Sequence, residues 1–159
     1  MKIKGLALIE VLITLILLAA LTLLCVTSAS FLTYKNERQT LVDEIKMAIH
    51  YAKIQAIVLG HPVSLTPLNQ SLNWATGMVL NKYTNKRDDT SARIYQWHWH
   101  HPHWSITWSG VSSFDKIILS NTPVSAISNG QFELFNTYTK ERVVIILNKL
   151  GRIKIKSFD

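Results

Sequence analysis

The sequence predicts an α+β fold in which a long N-terminal helix is laid on an antiparallel β-sheet head. Three observations point to it. From Leu6 to Val26 run 21 residues whose only polar side chains are Glu10, Thr14 and Thr22, near the roughly 20 residues that a membrane-spanning helix needs. No Pro or Gly then interrupts the chain until Gly60-His61-Pro62. Beyond Pro62 the apolar residues fall into short runs separated by turn-forming residues, as strands do.

Lys2 and Lys4 precede the apolar run, which leaves the start of the chain in the cytoplasm and sends the rest outward. Past Ser30 the pattern becomes amphipathic. Leu41, Ile45, Ala48, Ile49, Ala52, Ala56 and Leu59 follow helical spacing, with Asp43, Lys46, His50 and Lys53 opposite. One helix is therefore expected from about residue 6 to 59, stopped by Gly60 and Pro62. Strands are expected at Val63 to Thr66, Trp74 to Leu80, Arg93 to Trp99, Trp104 to Trp108, Lys116 to Leu119, Gln131 to Phe135, Arg142 to Leu147 and Arg152 to Lys156. Neither an internal repeat nor a linker to a second domain is present.

At 159 residues, 48% hydrophobic and 17% charged, the chain is too apolar to be disordered and long enough for one head plus an appendage. A net charge of +7 suits an anionic partner, nucleic acid or a lipid surface. The single cysteine, Cys25, lies in the apolar run, which excludes thiol catalysis, a disulfide framework and Cys-ligated zinc from the head. No nucleophile elbow, phosphate loop or other spaced motif frames the Ser, His and Asp residues, so no enzyme and no cofactor are expected.

Glu10 is the anomaly. An ionised carboxylate at bilayer depth costs about 2.5–3.5 kcal/mol and calls for a partner. Lys4-Gly5-Leu6-Ala7-Leu8-Ile9-Glu10 resembles the processing site of type IV prepilins and pseudopilins. The resemblance implies a leader of residues 1–5, cleavage after Gly5 by a prepilin peptidase and N-methylation of Leu6, where the family usually has Phe. Glu10 becomes the fifth mature residue, and the family uses that carboxylate to pair with the N-terminal amine of a neighbouring subunit during filament assembly. A second charge makes a buried one tolerable. Residues 6–30 are then the transmembrane and assembly half of the helix, and residues 31–159 the head.

The stretch Leu41 to Thr66, Asn73-Trp74-Ala75-Thr76-Gly77-Met78-Val79, Asn129-Gly130-Gln131-Phe132-Glu133-Leu134 and the closing Val143 to Lys156 resemble the GspH/FimT family of minor pilins and pseudopilins. The resemblance implies the type IV pilin fold and a single-pass inner-membrane protein. Its head lies in the periplasm, or outside the cell once assembled, and its partners are other pilins.

In the tail, side chains alternate across a strand, so Arg152, Lys154 and Lys156 project from one face and Ile153 and Ile155 from the other. Three cations about 7 Å apart suit successive phosphates along one DNA strand. The Gly151-Arg152-Ile153-Lys154 stretch is similar to the C-terminal Gly-Arg-x-Arg motif associated with DNA binding in transformation-linked FimT proteins, with Lys in the last place. Arg142, Lys149 and Lys140 widen the patch and Glu141 works against it. The alternative is a solvated edge strand on which Lys discourages aggregation. In YQWHWHHPHW, residues 95–104, His98 and His100 share a strand face at a spacing that can ligate a metal, and His101 and His103 lie close. No acid within the stretch orients the imidazoles, so a structural strand and loop is the leading reading and a stacking platform for single strands the next. Asn85-Lys86-Arg87-Asp88-Asp89 reads as a solvated loop.

Two filament roles follow: a minor type IV pilin that takes up extracellular DNA, or a minor pseudopilin of a type II secretion system. A membrane-anchored binding protein outside any filament is the rival of another class.

Overall fold

The computed structural model describes residues 4–69, 71–83, 93–111, 113–122 and 128–158, with backbone alone for 4–7, 23–34 and 158. The charge run 85–89 lies outside the described residues, as does the side chain of Leu6. Helix α1, Lys4–Leu59, contributes to two compact units, residues 1–40 and 41–159.

From Leu8 to Thr22 the helix is apolar all round apart from Glu10, Thr14 and Thr22. Leu8, Ile9, Val11, Leu12 and Ile13 are each more than half exposed, a pattern that water does not tolerate. Thr14 and Thr22 turn their hydroxyls onto the carbonyls of Val11 and Ala19, both at 2.8 Å. Glu10 is exposed and has no partner among the described residues. Among the described residues no helix is long and apolar enough to cross a membrane. The apolar run from Leu6 to Val26 extends into residues whose side chains are not described.

Among its described residues the second unit has, besides the helix, eight strands: β1 (Val63–Pro67), β2 (Gly77–Lys82), β3 (Arg93–His98), β4 (Trp104–Gly110), β5 (Ile117–Leu119), β6 (Gly130–Asn136), β7 (Arg142–Leu147) and β8 (Ile153–Phe158). They form two antiparallel sheets, β3-β2-β1-β5 and β4-β6-β7-β8, and so the antiparallel head that the sequence predicts. The predicted stripe Leu41, Ile45, Ala48, Ile49, Ala52 and Ala56 is buried. Leu59 is 42% exposed, a correction to the expected stripe, at the last residue of the helix. Alanine at 48, 52 and 56 puts little side-chain bulk on this buried face. The strands answer with alternating residues: Val63 and Leu65, Ile106 and Trp108, Phe132 and Leu134, Val143, Ile145 and Leu147. Met47, Tyr51, Ile54 and Val58 line the opposite, exposed face of the helix.

The strand expected from Trp74 begins instead at Gly77, after a 3-10 turn over Trp74–Thr76. Asn73 causes the difference. Its side-chain oxygen accepts from Ala75 N at 3.0 Å and from Ile106 N at 3.2 Å, fastening the turn to β4 of the other sheet. Trp74 is thereby placed in the core, edge-on to Phe132 at 5.3 Å, and its carbonyl accepts the Trp99 indole N–H at 3.0 Å. Gly77 then enters β2 with φ +137°, where a Cβ would lie 2.1 Å from the Trp97 carbonyl oxygen. The Trp-x-x-Gly spacing thus couples a core anchor to a backbone that only glycine fits. Gly77→Ala is expected to destabilise the protein by about 3 kcal/mol or more, read from the urea unfolding midpoint of the detergent-solubilised chain.

Candidate nucleic-acid interface and assembly site

The hairpin of β7 and β8 forms one margin of the second sheet, with β8 at its edge. Asn148 builds its turn. The Asn148 side-chain oxygen accepts from Leu150 N and Arg152 N, both at 2.9 Å, and Gly151 N donates to the Asn148 carbonyl. Gly151 takes φ +71°, the left-handed conformation that closes the turn. Its neighbour is Lys53 of the helix, whose ammonium donates to the Leu150 carbonyl at 3.3 Å. Lys53, set opposite the apolar stripe by helical spacing, is therefore tied to the hairpin.

Register fixes which way the cations point. Lys154 lies opposite Ile146 and Lys156 opposite Val144, on the outer face, whereas Ile153 and Ile155 lie opposite the core residues Leu147 and Ile145. Arg152 precedes the strand by one residue and is exposed, as are Lys149, Lys154 and Lys156. None of these four has an acid partner among the described residues. Arg142 differs: its guanidinium meets Glu133 on β6 at 2.8 Å, which neutralises its charge locally. Lys140 lies at the far end of β7, over the Phe135 ring at 6.0 Å, well away from the turn at Lys149.

Beside the turn, the outer face opens into a groove of about 550 Å³ where β4, β6 and β7 end. Asn129, Gln131, Ile146, Asn148 and Lys149 line it.

The histidine tract disperses. His98 bonds Gln96 on the outer face of β3, and His100 is exposed just beyond the strand. His103 sits against Tyr138 at 6.0 Å. His101 is buried, and its Nε2 lies 2.7 Å from Glu44 Oε2 on the helix. An orienting acid therefore exists, 57 residues away, and it engages a histidine that the strand pattern had not favoured. Among the described residues no three metal-ligating groups converge. Trp99 and Trp104 are core residues; Trp97 is half-buried and meets Tyr95 and Tyr51 edge-on, and the two tyrosine rings are tilted against each other.

The family described as "Type II transport protein GspH" matches residues 41–151. The chain belongs to the GspH family. Its fold is the type IV pilin fold. It is similar to a crystal structure of the type IV minor pilin FimU of Pseudomonas aeruginosa, strain PAO1, with 15% identity over 80% of this chain and 96% of that one, at a TM-score of 0.64. FimU in a second crystal form matches at 14% identity, 76% and 97% coverage and a TM-score of 0.59. The minor pseudopilin EpsH of the Vibrio cholerae type 2 secretion system matches at 8% identity, 76% and 97% coverage and a TM-score of 0.53. No curated protein sequence matches the chain.

The GspH match holds the helix stripe, the Trp74 and Gly77 pair and the Asn148 turn, but ends at Gly151. Arg152, Lys154 and Lys156 lie beyond it, and Gly5, Leu6 and Glu10 before it. In this GspH-family chain the direction of the basic row depends on the turn that precedes it. Asn148→Ala is expected to destabilise by about 1–2 kcal/mol and to speed amide exchange across residues 150–156, measured by hydrogen exchange and mass spectrometry.

Proposed function

We propose that the protein is a minor type IV pilin of the FimT type that joins a filament in small numbers near its tip or initiating complex and binds extracellular DNA non-specifically for uptake. The observation that carries the DNA reading is exposed Arg152 just before the edge strand with Lys154 and Lys156 on that strand's outer face, without acid partners among the described residues and joined at the turn by Lys149. Phosphate contacts by such cations supply nearly all of non-specific binding. Arg142 contributes less, because Glu133 holds it.

Assembly rests on the other end of the chain. Residues 1–5 are the leader, prepilin peptidase cuts after Gly5, and Leu6 becomes the methylated first residue. Residues 6–30 hold the protein in the inner membrane as a single pass, with the head of residues 31–159 in the periplasm until the filament carries it outside. Glu10, exposed and unpartnered among the described residues while both threonine hydroxyls are satisfied, pairs with the N-terminal amine of a neighbouring pilin. The exposed stripe of Met47, Tyr51, Ile54 and Val58 meets neighbouring stems. Intact-mass measurement of the purified protein is expected to show loss of residues 1–5 and gain of one methyl group. An uncut chain would point to the anchored protein outside any filament.

A second reading, a minor pseudopilin of a type II secretion system whose head binds other tip subunits, is favoured by the description of the matching family. DNA binding separates the two. In fluorescence anisotropy of the detergent-solubilised chain across a salt series, changing Arg152, Lys154 and Lys156 together to Ala is expected to weaken binding. The log-log salt slope should fall by about 2–3 units, at roughly 0.9 per phosphate contact. Absence of binding at low salt would leave the pseudopilin as the better account.

A further inference from the structure

We propose that the cleft between the helix and the β7–β8 turn binds a single phosphate group, held by the ammonium groups of Lys53 and Lys149. The site lies on the helix side of the turn, apart from the outer face that carries Lys154 and Lys156, and the inference does not rest on the DNA reading.

Lys53 and Ile57 of the helix, Ser120 and Asn121 beyond β5, and Lys149 and Leu150 of the turn line a cleft of about 100 Å³. That is well below the roughly 300–1,000 Å³ of sites that enclose drug-sized ligands, so its occupant is a group of a few atoms. Each lining cation is a pure donor, since an ammonium has three N–H groups and no acceptor. Lys53 spends one on the Leu150 carbonyl, 3.3 Å away, and two remain. Gly151 leaves the room that this side chain occupies: a Cβ there would stand 3.1 Å from Lys53 Nζ and 3.5 Å from its Cε.

Among the described residues no acid lines the cleft, and neither lysine has an acid partner. Two like charges at one small cleft repel, and an anion that meets both replaces that repulsion with attraction. A phosphate group suits the pair because it carries more than one negative charge and several strong acceptor oxygens, which can receive donors arriving from the helix and from the turn. The remaining wall is held in place by its own bonds. Ser120 is buried and its hydroxyl accepts from Thr122 N at 3.3 Å, while the Asn121 amide donates to the Gly60 carbonyl at 3.0 Å. That bond occupies a carbonyl just past the end of the helix, where free carbonyls repel anions. A tie between helix and turn needs Lys53 alone; the second cation at the same cleft is what points to an anion.

The test is equilibrium dialysis of radiolabelled inorganic phosphate against the detergent-solubilised full chain, in chloride at fixed ionic strength. One phosphate per chain is expected to bind. Lys53→Gln and Lys149→Gln are each expected to weaken it about tenfold, as loss of one charge-assisted contact implies, and Lys154→Gln on the outer face is expected to leave it unchanged. The exposed Lys149 side chain makes no hydrogen bond within the turn among the described residues, so its variant reads the site even where Lys53→Gln loosens the turn. Competition identifies the source of the group. Displacement by an oligonucleotide bearing a 5′-phosphate but not by its unphosphorylated counterpart assigns the cleft to a strand end, displacement by both to backbone phosphates, and displacement by neither to the free ion. Absence of saturable binding, full binding in Lys149→Gln or an equal loss in Lys154→Gln would overturn the proposal and leave Lys53 as a tie between helix and turn. The DNA reading would survive that result, since it is tested by the salt series on Arg152, Lys154 and Lys156.

Discussion

The head depends on the burial of one stripe of the helix, Leu41 through Ala56, against two sheets at once. Neither four-stranded sheet can bury its apolar face alone, and an isolated helix keeps little of its structure in water without tertiary packing. The alanines at 48, 52 and 56 are fully buried in the same core cluster as strand residues such as Phe132 and Ile145. The two sheets are then fastened to each other at one corner. Asn73 bonds across to β4, Trp74 reaches Phe132 and Trp99 returns to the Trp74 carbonyl. That corner replaces the stabilisation that a disulfide supplies in small extracellular domains, which this head, without cysteine, does not have.

The outer face of the second sheet is organised by charge rather than by packing. Exposed cations such as those of β8 add little to stability, as surface charges generally do. Their consequence is a field, and its shape follows from two choices. Glu133 sits two strands inward and is matched by Arg142, so its negative charge is answered locally and does not oppose the row at the edge. The Asn148 turn sets Arg152 at the start of β8, and the Lys53 contact holds that turn against the helix. A mobile tail of the same composition would carry the same charge without a fixed spacing.

The histidine-rich segment shows how tertiary structure reassigns a dense motif. Four histidines in six positions suggest shared chemistry, yet the strand ends at His98 and the chain turns. His101 is drawn inward to Glu44, while His98, His100 and His103 remain in separate surroundings. A buried imidazole is acceptable because a carboxylate meets it at 2.7 Å, and that carboxylate belongs to the helix stripe's flank.

The sequence by itself determined what depends on local period. Helical spacing placed Leu41, Ile45, Ala48, Ile49, Ala52 and Ala56 on one buried face, and strand alternation separated Lys154 and Lys156 from Ile153 and Ile155, because side-chain direction in a regular element is set by the backbone alone. The residues on which assembly is proposed to rest were named on other grounds: Glu10 as a charge in an apolar run, Gly5 and Leu6 through the resemblance of residues 4–10 to a prepilin processing site. Tertiary structure decided the rest. The division into two sheets, the turn at Trp74, the exposure of Leu59, the pairing of Arg142 with Glu133 and of His101 with Glu44, and the groove beside Lys149 all depend on which distant residues become neighbours. No local period encodes those meetings, since they arise when the helix and both sheets close on a common core.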